Sequence, residues 1–396
     1  MLNFQELISQ IEEPLVYIPL MVVLVAFIHQ IYFYLRYICR ACKATTVSVS
    51  KTAAEHDYPP VSVVVCARNE RENLNDYLSV LLSQDYPSYE VIVVDDSSED
   101  GTDLLLEQWS RQYAHLYHTF VPRGARVLSS KKLALTIGIK AAHHEHILLT
   151  DADCRPESRN WIREMMSGFA NEKTEIVLGF SPYFEKKGLL NRIICYDTLF
   201  NGLQYMGMAL SGHPYMGVGR NLAYKKELFF KTGGFKKMMT NRAGDDDLFV
   251  NHVATRKNTA VVSSRASITW SPAKTTMRDW WQQKRRHLSV SHDYRLGTKI
   301  RLALEPMSRG LFYLAVIALL VAFACQPIVG SPLSILAAMA LGLFLLRWIV
   351  QSIIINLSAK RMGLHGFNMF TILGMDIFLP LVSLYMLCVP KKQVKW

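Results

Sequence analysis

The chain has 396 residues, half of them hydrophobic, and its 44 Lys and Arg outnumber its 33 Asp and Glu. This length accommodates one domain of roughly 200–250 residues together with accessory segments. A nucleic-acid-binding protein carries its basic residues on a polar surface, so the mixture of apolar and basic residues indicates a membrane protein with a basic cytosolic side. Cys39 and Cys42 form a C-x-x-C pair, but no second pair completes a zinc site, and reduced thiols are the simpler interpretation.

The N-terminal segment, residues 1–44, is predicted to contain one transmembrane helix over about residues 14–36. Its uncharged run is long enough, at about 1.5 Å per residue, to cross about 30 Å of hydrocarbon. Arg36, Arg40 and Lys43 follow the run, so the positive-inside rule places the next domain in the cytosol. Because this basic flank follows the apolar run, we expect a retained helix of the cell (inner) membrane and not a cleaved signal peptide.

Residues 45–270 begin with a polar linker and continue as alternating strand and helix patterns. Strands are predicted at residues 61–66, 89–94 and 147–150, and the intervening helices end near Ser83, begin near Asp103 and begin at Lys131. This alternation predicts an α/β fold with a mostly parallel sheet, in which ligands bind beyond the carboxyl ends of the strands. Neither G-x-G-x-x-G after the first strand nor a P-loop motif occurs, so a dinucleotide fold and a P-loop fold are not supported.

Asp151 and Asp153 directly follow the third predicted strand. Residues i and i+2 of an extended segment point the same way, so the two carboxylates could share a Mg²⁺ or Mn²⁺ ion, with a substrate diphosphate supplying further ligands. The alternative is a polar strand end or an Asx turn. The nearby His143, His144 and His146 are expected to favour the dipole of the preceding helix and not to bind metal.

Three consecutive carboxylates, Asp245, Asp246 and Asp247, open another predicted helix after Gly244. Negative charge at a helix N-terminus is favourable without any function. A cluster of like charges is also where the pKa of one carboxylate can be raised, so that it serves as a base. Residues 280–287 are aromatic, basic and amphipathic, which predicts an interfacial helix on the membrane within a segment over residues 271–308.

The C-terminal region, residues 309–396, is predicted to be membrane-embedded. Three helices are expected at about residues 310–326, 333–356 and 367–389. Four spans in total would place the basic tail around Lys391, Lys392 and Lys395 outside, against the charge rule. Either the last apolar segment is re-entrant or this short tail is exported.

Arg347 and Asp376 are charges inside two of these predicted helices. An ionisable residue in the bilayer usually faces protein and finds a partner. Both lie at a similar distance from the loop between the helices, roughly 14–15 Å at 1.5 Å per residue, and helices joined by a short loop are antiparallel neighbours. We therefore predict a buried Arg347–Asp376 pair. The alternative is that Arg347 extends to one interface while Asp376 lines a wet cavity.

Six motifs in this order resemble the membrane-bound, inverting family 2 glycosyltransferases, the superfamily of cellulose, hyaluronan, chitin and poly-N-acetylglucosamine synthases. They are Ala67-Arg68-Asn69-Glu70, Val94-Asp95-Asp96-Ser97-Ser98, the helix at Lys131, Asp151-Ala152-Asp153, Gly244-Asp245-Asp246-Asp247-Leu248, and Gln283-Lys284-Arg285-Arg286-His287. The chain departs from the family twice. Gly244 stands where the family has a glutamate, and His287 stands where its Q-x-x-R-W motif has a tryptophan.

The resemblance implies a GT-A fold that binds a nucleotide-sugar, expected to be UDP-linked. By resemblance, the donor is bound by Arg68, Asn69, Glu70, Asp95, Asp96, Lys131 and Asp151, the metal by Asp151 and Asp153, and the acceptor and diphosphate by Gln283, Arg286 and His287. Asp245 matches the catalytic base that takes a proton from the acceptor hydroxyl. Imidazole at His287 offers a smaller stacking face than indole and is expected to titrate near neutral pH.

The implied reaction is inverting, Mg²⁺- or Mn²⁺-dependent hexosyl transfer on the cytosolic side of the membrane. The acceptor would be a membrane-associated, lipid-linked or growing glycan, for cell-envelope or extracellular polysaccharide synthesis. Processive and single transfer both stay open, although about four helices are few for a polymer channel. The alternative, motivated by Gly244 and His287, is a non-catalytic membrane scaffold that binds nucleotide and assembles an export complex.

Overall fold

The computed structural model describes residues 4–44, 58–122, 130–238, 244–325, 327 and 332–388. The chain enters as helix α1 (Phe4–Phe33), passes through one π-helical turn (Tyr34–Ile38) and continues as α2 (Cys39–Ala44). This continuous helical segment is longer than the predicted span of residues 14–36. The polar linker predicted after it lies largely outside the described residues.

Within the described residues, seven strands form the main sheet. They are β1 (Val61–Ala67), β2 (Tyr89–Asp95), β3 (Leu116–Phe120), β4 (His146–Asp151), β6 (Ile176–Leu178), β7 (Leu222–Lys225) and β8 (Thr259–Val261), in the order β3-β2-β1-β4-β7-β6-β8. The pairs β1–β2, β1–β4, β2–β3 and β6–β8 are parallel, and β7 is antiparallel to both of its neighbours. The prediction of an α/β fold with a mostly parallel sheet is confirmed. A short antiparallel ribbon joins β5 (Arg155–Pro156) to β9 (Thr269–Trp270).

Helices cover both faces of the sheet. They are α3 (Arg71–Leu82), α4 (Thr102–Ser110), α5 (Ser130–Ala141), α6 (Trp161–Ser167), α7 (Leu189–Leu210), α8 (Lys226–Lys231), α9 (Asp247–Val253) and α10 (Met277–Val290). Val63 and Val65 of β1 pack into one core, whereas Val64 packs into the other, as the alternation of side chains along a strand requires. On α5, a methyl group at Gly138 would lie 2.5 Å from Val64 Cγ1, so glycine allows this helix to approach the sheet closely.

The central strands end together. Cα register places Ala67 opposite Asp95 and Cys66 opposite Asp151, so the carboxyl ends of β1, β2 and β4 meet at one edge of the sheet. Polar loops follow all three strands. The sheet topology therefore collects three of the predicted site motifs at that edge.

The described residues include four helices long and apolar enough to cross a membrane, namely residues 17–43 together with α11 (Leu296–Cys325), α12 (Pro332–Arg361) and α13 (Met369–Cys388). Helix α11 begins at Leu296 and so extends into residues 271–308, the segment that is predicted to be interfacial. Within this helix, Glu305 and Arg309 are buried and pair with each other across one turn at 2.5 Å. The basic tail after Cys388 lies outside the described residues.

The predicted pair between α12 and α13 is confirmed. Arg347 Nη1 lies 2.8 Å from Asp376 Oδ2, and both side chains are buried. Asp376 also pairs with Arg309 of α11 at 2.9 Å. The ion pair is therefore part of a larger cluster that joins three helices.

Candidate active site

Lys131 brings two of the predicted carboxylates together. It lies in the first turn of α5, and its Nζ atom is 2.9 Å from Asp151 Oδ1 at the end of β4 and 3.7 Å from Asp245 Oδ2 before α9. Asp245 lies 114 positions after Lys131 along the chain. The three residues meet beyond the carboxyl ends of the strands, in the region that we call the cleft.

The charges of Lys131, Asp151 and Asp245 shift one another's pKa values. Desolvation lowers the pKa of Lys131, but Asp151, Asp245 and Asp246 raise it well above its ordinary value, so the amine stays charged. Desolvation raises the pKa of Asp151, but Lys131 lowers it below its ordinary value. At Asp245 the balance is opposite, because desolvation, Asp246 and Asp151 raise its pKa despite Lys131. Two carboxylates that share one lysine therefore differ in basicity.

Asp153 lies close enough to Asp151 for their charges to interact. Desolvation and the charge of Asp151 raise the pKa of Asp153. Ser271 Oγ donates to Asp153 Oδ2 at 3.2 Å. Asp151 ends β4, but Asp153 lies in a turn closed by a bond from Cys154 N to Asp151 O at 3.1 Å. The expectation that both carboxylates project from one extended strand was therefore wrong.

The donor set at these carboxylates fits a hard cation with few protein ligands. No group of three or more His, Cys, Asp or Glu side chains suited to a metal ion occurs in the described part of the chain. Asp151 and Asp153 would therefore supply two oxygen ligands and leave the others to a diphosphate and water, as Mg²⁺ commonly requires. His143, before β4, contacts Glu90, because its backbone N and its Nδ1 atom each lie 2.7 Å from that carboxylate.

Arg68 and Asp96 lie side by side at the ends of β1 and β2. Their side chains approach to 3.6 Å, and Asp96 N donates to Ala67 O at 2.8 Å. Glu70 follows in the same loop. Desolvation raises its pKa, and the charges of Asp153 and Asp151 raise it further, which places Glu70 within the field of the two carboxylates.

Asn69 and Asp95 shape the adjoining loops. Asn69 Oδ1 accepts from Glu99 N at 2.8 Å, and Asn69 N donates to Ser98 Oγ at 2.9 Å. Ser98 Oγ in turn donates to Asp95 Oδ1 at 2.5 Å. Asn69 has a φ of 55°, in the left-handed region that asparagine tolerates. These contacts fix the loop geometry and leave the neighbouring Arg68, Glu70 and Asp96 at the cleft.

Of the three consecutive carboxylates, Asp245 is the one that contacts Lys131. Asp246 Oδ2 accepts from Gly219 N at 2.7 Å, and Asp247 Oδ2 accepts from Tyr294 OH at 3.1 Å. Helix α9 begins only at Asp247, with Asp246 as its N-cap. The other two carboxylates therefore anchor the loop that presents Asp245.

Gly244 is one of the two departures from the family pattern, and the backbone conformation at this position explains why a glycine occurs here. Its φ is 85°, and a Cβ atom at this position would lie 2.7 Å from Leu248 Cδ1 and 3.0 Å from Val290 Cγ1. A glutamate would be strained in this conformation, and its Cβ atom would require the side chains of Leu248 and Val290 to shift. Glycine is therefore compatible with an intact Asp245 loop.

Helix α10 places its polar motif beside the cleft. Gln283 Nε2 donates to Tyr183 OH at 2.9 Å, and Lys284 Nζ pairs with Asp197 of α7 at 2.7 Å. The charge of Arg286 contributes to lowering the pKa of Asp151, so this arginine acts on the same site. On the other side of α10, the rings of Trp281 and Tyr385 lie 5.7 Å apart and join the helix to α13.

His287 lies in the last turn of α10, next to Arg286. Desolvation by the surrounding groups, followed by the charges of Arg286 and Arg220, lowers the pKa of His287 to about 3. The imidazole is therefore neutral at physiological pH. The expectation that His287 titrates near neutral pH was wrong, because the motif places the ring among cations.

Arg220 is a residue of the cleft that the sequence patterns did not identify. Its Nη2 atom donates to Ser181 O at 2.9 Å, and its guanidinium lies 4.4 Å from the ring centre of Tyr183. Its charge lowers the pKa values of Asp151 and Asp153, against the effect of desolvation. A signal was present in its position beside Gly217 and Gly219, where the backbone can approach other segments closely.

Comparison with known proteins identifies the fold and the family. The chain is 25% identical over 238 residues to the probable glycosyltransferase YdaM of Bacillus subtilis, a match that spans 58% of this chain and 54% of that protein. It is 33% identical over 93 residues to the poly-beta-1,6-N-acetyl-D-glucosamine synthase of Staphylococcus epidermidis, spanning 24% of this chain and 21% of the synthase. The chain thus spans about half of the first relative and a fifth of the second.

The structure is similar to that of the mannosyltransferase PcManGT from Pyrobaculum calidifontis in complex with GDP-Man and Mn²⁺. The TM-score is 0.53 at 19% identity, and the match covers 87% of this chain and 99% of the mannosyltransferase. The chain therefore has the GT-A fold that the motifs implied. The family model of Glycosyl transferase family 21 matches residues 20–396, and since this is nearly the whole chain, the protein belongs to that family and is a glycosyltransferase.

Proposed function

We propose that this protein is a membrane-bound, inverting, metal-dependent glycosyltransferase of the synthase type, which transfers a hexose from a UDP-sugar to a hydroxyl of a membrane-associated acceptor. The observation that carries the proposal is the contact of Lys131 with both Asp151 and Asp245. A cation and a candidate base thereby lie within a few ångströms at the sheet edge where nucleotides bind. The sequence similarity to a polysaccharide synthase supports the same class of reaction.

Asp245 is the proposed base. It would take the proton of the acceptor hydroxyl while the oxygen attacks the anomeric carbon and the bond from that carbon to the diphosphate oxygen breaks. Its raised pKa suits a group that must accept a proton near neutral pH. Attack from the face opposite the leaving group inverts the anomeric configuration in one displacement.

The leaving nucleoside diphosphate gains negative charge as the bond breaks. Lys131, Arg286 and Arg220 supply fixed positive charge on the side of the cleft that contains Asp151, and such preorganised charges stabilise a developing anion. Mg²⁺ or Mn²⁺, when held by Asp151 and Asp153, would add Lewis-acid stabilisation of the diphosphate. Arg68, Asn69, Glu70, Asp95 and Asp96 are proposed to line the nucleoside side of the donor site.

The acceptor is proposed to reach Gln283, Arg286 and His287 from the membrane side. Helix α10 carries these residues and contacts α13, one of the candidate spanning helices. The arrangement suits a lipid-linked or otherwise membrane-associated acceptor used in cell-envelope or extracellular polysaccharide synthesis. By the positive-inside rule, the sheet domain of residues 45–270 is proposed to face the cytosol from the inner membrane.

The proposal can be tested with the full-length protein in detergent. We expect release of nucleoside diphosphate from one or more members of a UDP-sugar panel in the presence of Mg²⁺ or Mn²⁺ and a membrane lipid extract. Asp245→Asn should reduce this rate by about 10²–10⁴-fold. Asp76→Asn, which removes an exposed carboxylate of α3, is the matched control and should retain full activity.

Full activity in Asp245→Asn would overturn the assignment of the base. The alternative of a non-catalytic scaffold predicts a different pattern, in which calorimetry detects nucleotide binding and no donor is turned over with a crude acceptor extract. The fit of Gly244 to the conformation of its loop removes one of the two observations that motivated this alternative.

A further inference from the structure

Four basic side chains from separate segments of the chain lie close to one another. This basic cluster consists of Arg36 in the π-helical turn, His213 after α7, Arg256 after α9, and Arg301 in α11. Desolvation and then the charges of Arg301, Arg36 and Arg256 lower the pKa of His213. The three arginines therefore act on one imidazole, although they belong to three separate segments.

Direct contacts hold these segments together. Ser211 Oγ donates to the backbone oxygen of Arg36 at 3.1 Å, which ties the end of α7 to the π-helical turn. A Cβ atom at Gly212 would lie only 2.9 Å from Arg256 Cδ, so the side chain of Arg256 lies directly against the backbone beside His213. These two contacts place the segment after α7 against both the π-helical turn and Arg256.

The packing of α1 against α11 places Arg301, the remaining residue of the cluster, at the same height along the helix pair as Arg36. Gln30 Nε2 donates to Glu305 O at 3.0 Å and to Ser308 Oγ at 2.8 Å. From this contact, Arg36 lies about 9 Å further along α1 and Arg301 about 6 Å back along α11, in the same direction because the helices are antiparallel. Both arginines therefore lie where the helices emerge towards the sheet domain.

Ion pairs do not neutralise the arginines of the cluster within the described residues. In the part of the chain that the structure describes, Arg36, Arg256 and Arg301 form no ion pair with a carboxylate, whereas Lys284, Arg309 and Arg347 each do. Like charges that converge without compensation create a positive potential that attracts an anion. Guanidinium groups bind phosphate oxygens particularly well, because their planar donors match the phosphate geometry.

Apolar side chains continue from the cluster towards the membrane. Tyr32 lies one turn before Arg36 and is 52% exposed, and Leu304 lies nearly one turn after Arg301 and is 47% exposed. Residues four or three positions apart on a helix share a face. A ligand at the arginines would therefore have its anionic group at the cluster and apolar chains against Tyr32 and Leu304.

We propose that the basic cluster binds the phosphodiester headgroup of an anionic phospholipid in the leaflet next to the sheet domain. Basic pockets between membrane helices bind such headgroups, and anionic leaflets attract basic residues near the membrane surface. The bound lipid would connect α1, α11 and the segments after α7 and α9. Lipid binding does not depend on the proposed sugar transfer, so it can be tested without turnover.

The test uses the full-length protein, delipidated in detergent and titrated with phosphatidylglycerol or phosphatidylcholine, with bound lipid counted by native mass spectrometry. The test variant is the triple change Arg36→Gln, Arg256→Gln and Arg301→Gln. The control variant is Arg40→Gln, Lys257→Gln and Lys299→Gln, which removes three exposed charges from neighbouring positions of the same segments. We expect the wild type and the control to retain one phosphatidylglycerol selectively, and the test variant to bind it about tenfold or more weakly.

Equal loss of binding in both triple variants would overturn the proposal, because it would indicate diffuse attraction by net charge. Displacement of the lipid by equimolar inorganic phosphate would also overturn it, since the site would then recognise a free anion. Melting temperatures in detergent check that the variants are folded. If the test variant does not fold, Arg301→Gln is compared with Lys299→Gln. Equal loss of lipid binding in these two variants, or displacement of the lipid by inorganic phosphate, would again overturn the proposal.

Discussion

Arg347 of α12 donates to Asp376 of α13 at 2.8 Å, and Asp376 also accepts from Arg309 of α11 at 2.9 Å. Asp376 therefore compensates two cations. Asp376→Asn leaves both without their partner, whereas Arg347→Gln leaves the pair with Arg309 intact. We expect Asp376→Asn to lower the melting temperature in detergent more than Arg347→Gln does, because breaking a buried pair costs about 3–5 kcal/mol.

The double variant should recover part of the loss caused by Asp376→Asn. Recovery is incomplete because Arg309 still lacks one of its two acidic partners, although its contact with Glu305 remains. Strictly additive losses, or a larger loss for Arg347→Gln than for Asp376→Asn, would contradict the shared role of Asp376.

Gly244→Glu introduces the residue that the related synthases have at this position. We expect lower transferase activity and a lower melting temperature, because the positive φ and the short approach to Leu248 both disfavour a side chain. Gly310→Ala, on a helix with open space around the glycine, is the control and should have little effect on either measurement. A Gly244→Glu variant with wild-type stability and activity would show that this loop adjusts freely.

The pH dependence of transfer should report the ionisation of Asp245. A base must be deprotonated, so activity falls as the pH drops through the pKa of Asp245, which desolvation and the charges of Asp246 and Asp151 raise above its ordinary value. Lys131 lowers that pKa, and Lys131→Met should therefore move the acid limb of the kcat/KM profile to higher pH while also reducing the rate. Lys140→Gln, an exposed change on the same helix, should leave the limb in place. An acid limb that moves to lower pH in Lys131→Met would contradict this assignment.

Arg286→Ala should abolish transfer, because its charge acts on the site of the leaving diphosphate. His287→Trp should leave donor hydrolysis intact and alter acceptor range or product length, since indole offers a larger stacking surface. Because the pKa of His287 lies near 3, its replacement should not change the pH profile between about pH 6 and 8. His292→Trp, beyond the end of α10, is the control, and identical products from both tryptophan variants would disprove the acceptor role of His287.

The sequence predicted best those elements whose burial dictates their composition. Strands β1, β2 and β4 are buried on both faces, so their aliphatic and β-branched runs are unambiguous. Strands β6 and β8 have only three residues each, and no pattern distinguishes so short a strand from a loop. Helix α7 is buried nearly all round and lacks an amphipathic signature.

The sequence indicated the carboxylates of the candidate site, but it did not indicate which side chains contact one another there. The D-x-D spacing indicated Asp151 and Asp153, and the family resemblance indicated Asp245, whereas the position of Lys131 between Asp151 and Asp245 depends on how α5 packs against the sheet. Arg220 required the tertiary fold, because its neighbours Ser181 and Tyr183 are distant in sequence. In the membrane region, Arg309 appeared to mark a helix end, and only the packing of three helices revealed it as a buried partner of Asp376.

Helix α10 contacts two other helices, through Lys284 with Asp197 of α7 and through Trp281 with Tyr385 of α13. A helix that spans a bilayer changes its tilt to match the thickness of the hydrocarbon layer. A change in the tilt of α13 would displace Trp281, and with it the Gln283 and Arg286 side of the cleft. We therefore expect bilayer thickness to affect the geometry of the candidate site, so that the same polypeptide transfers sugar at different rates in thin and thick membranes.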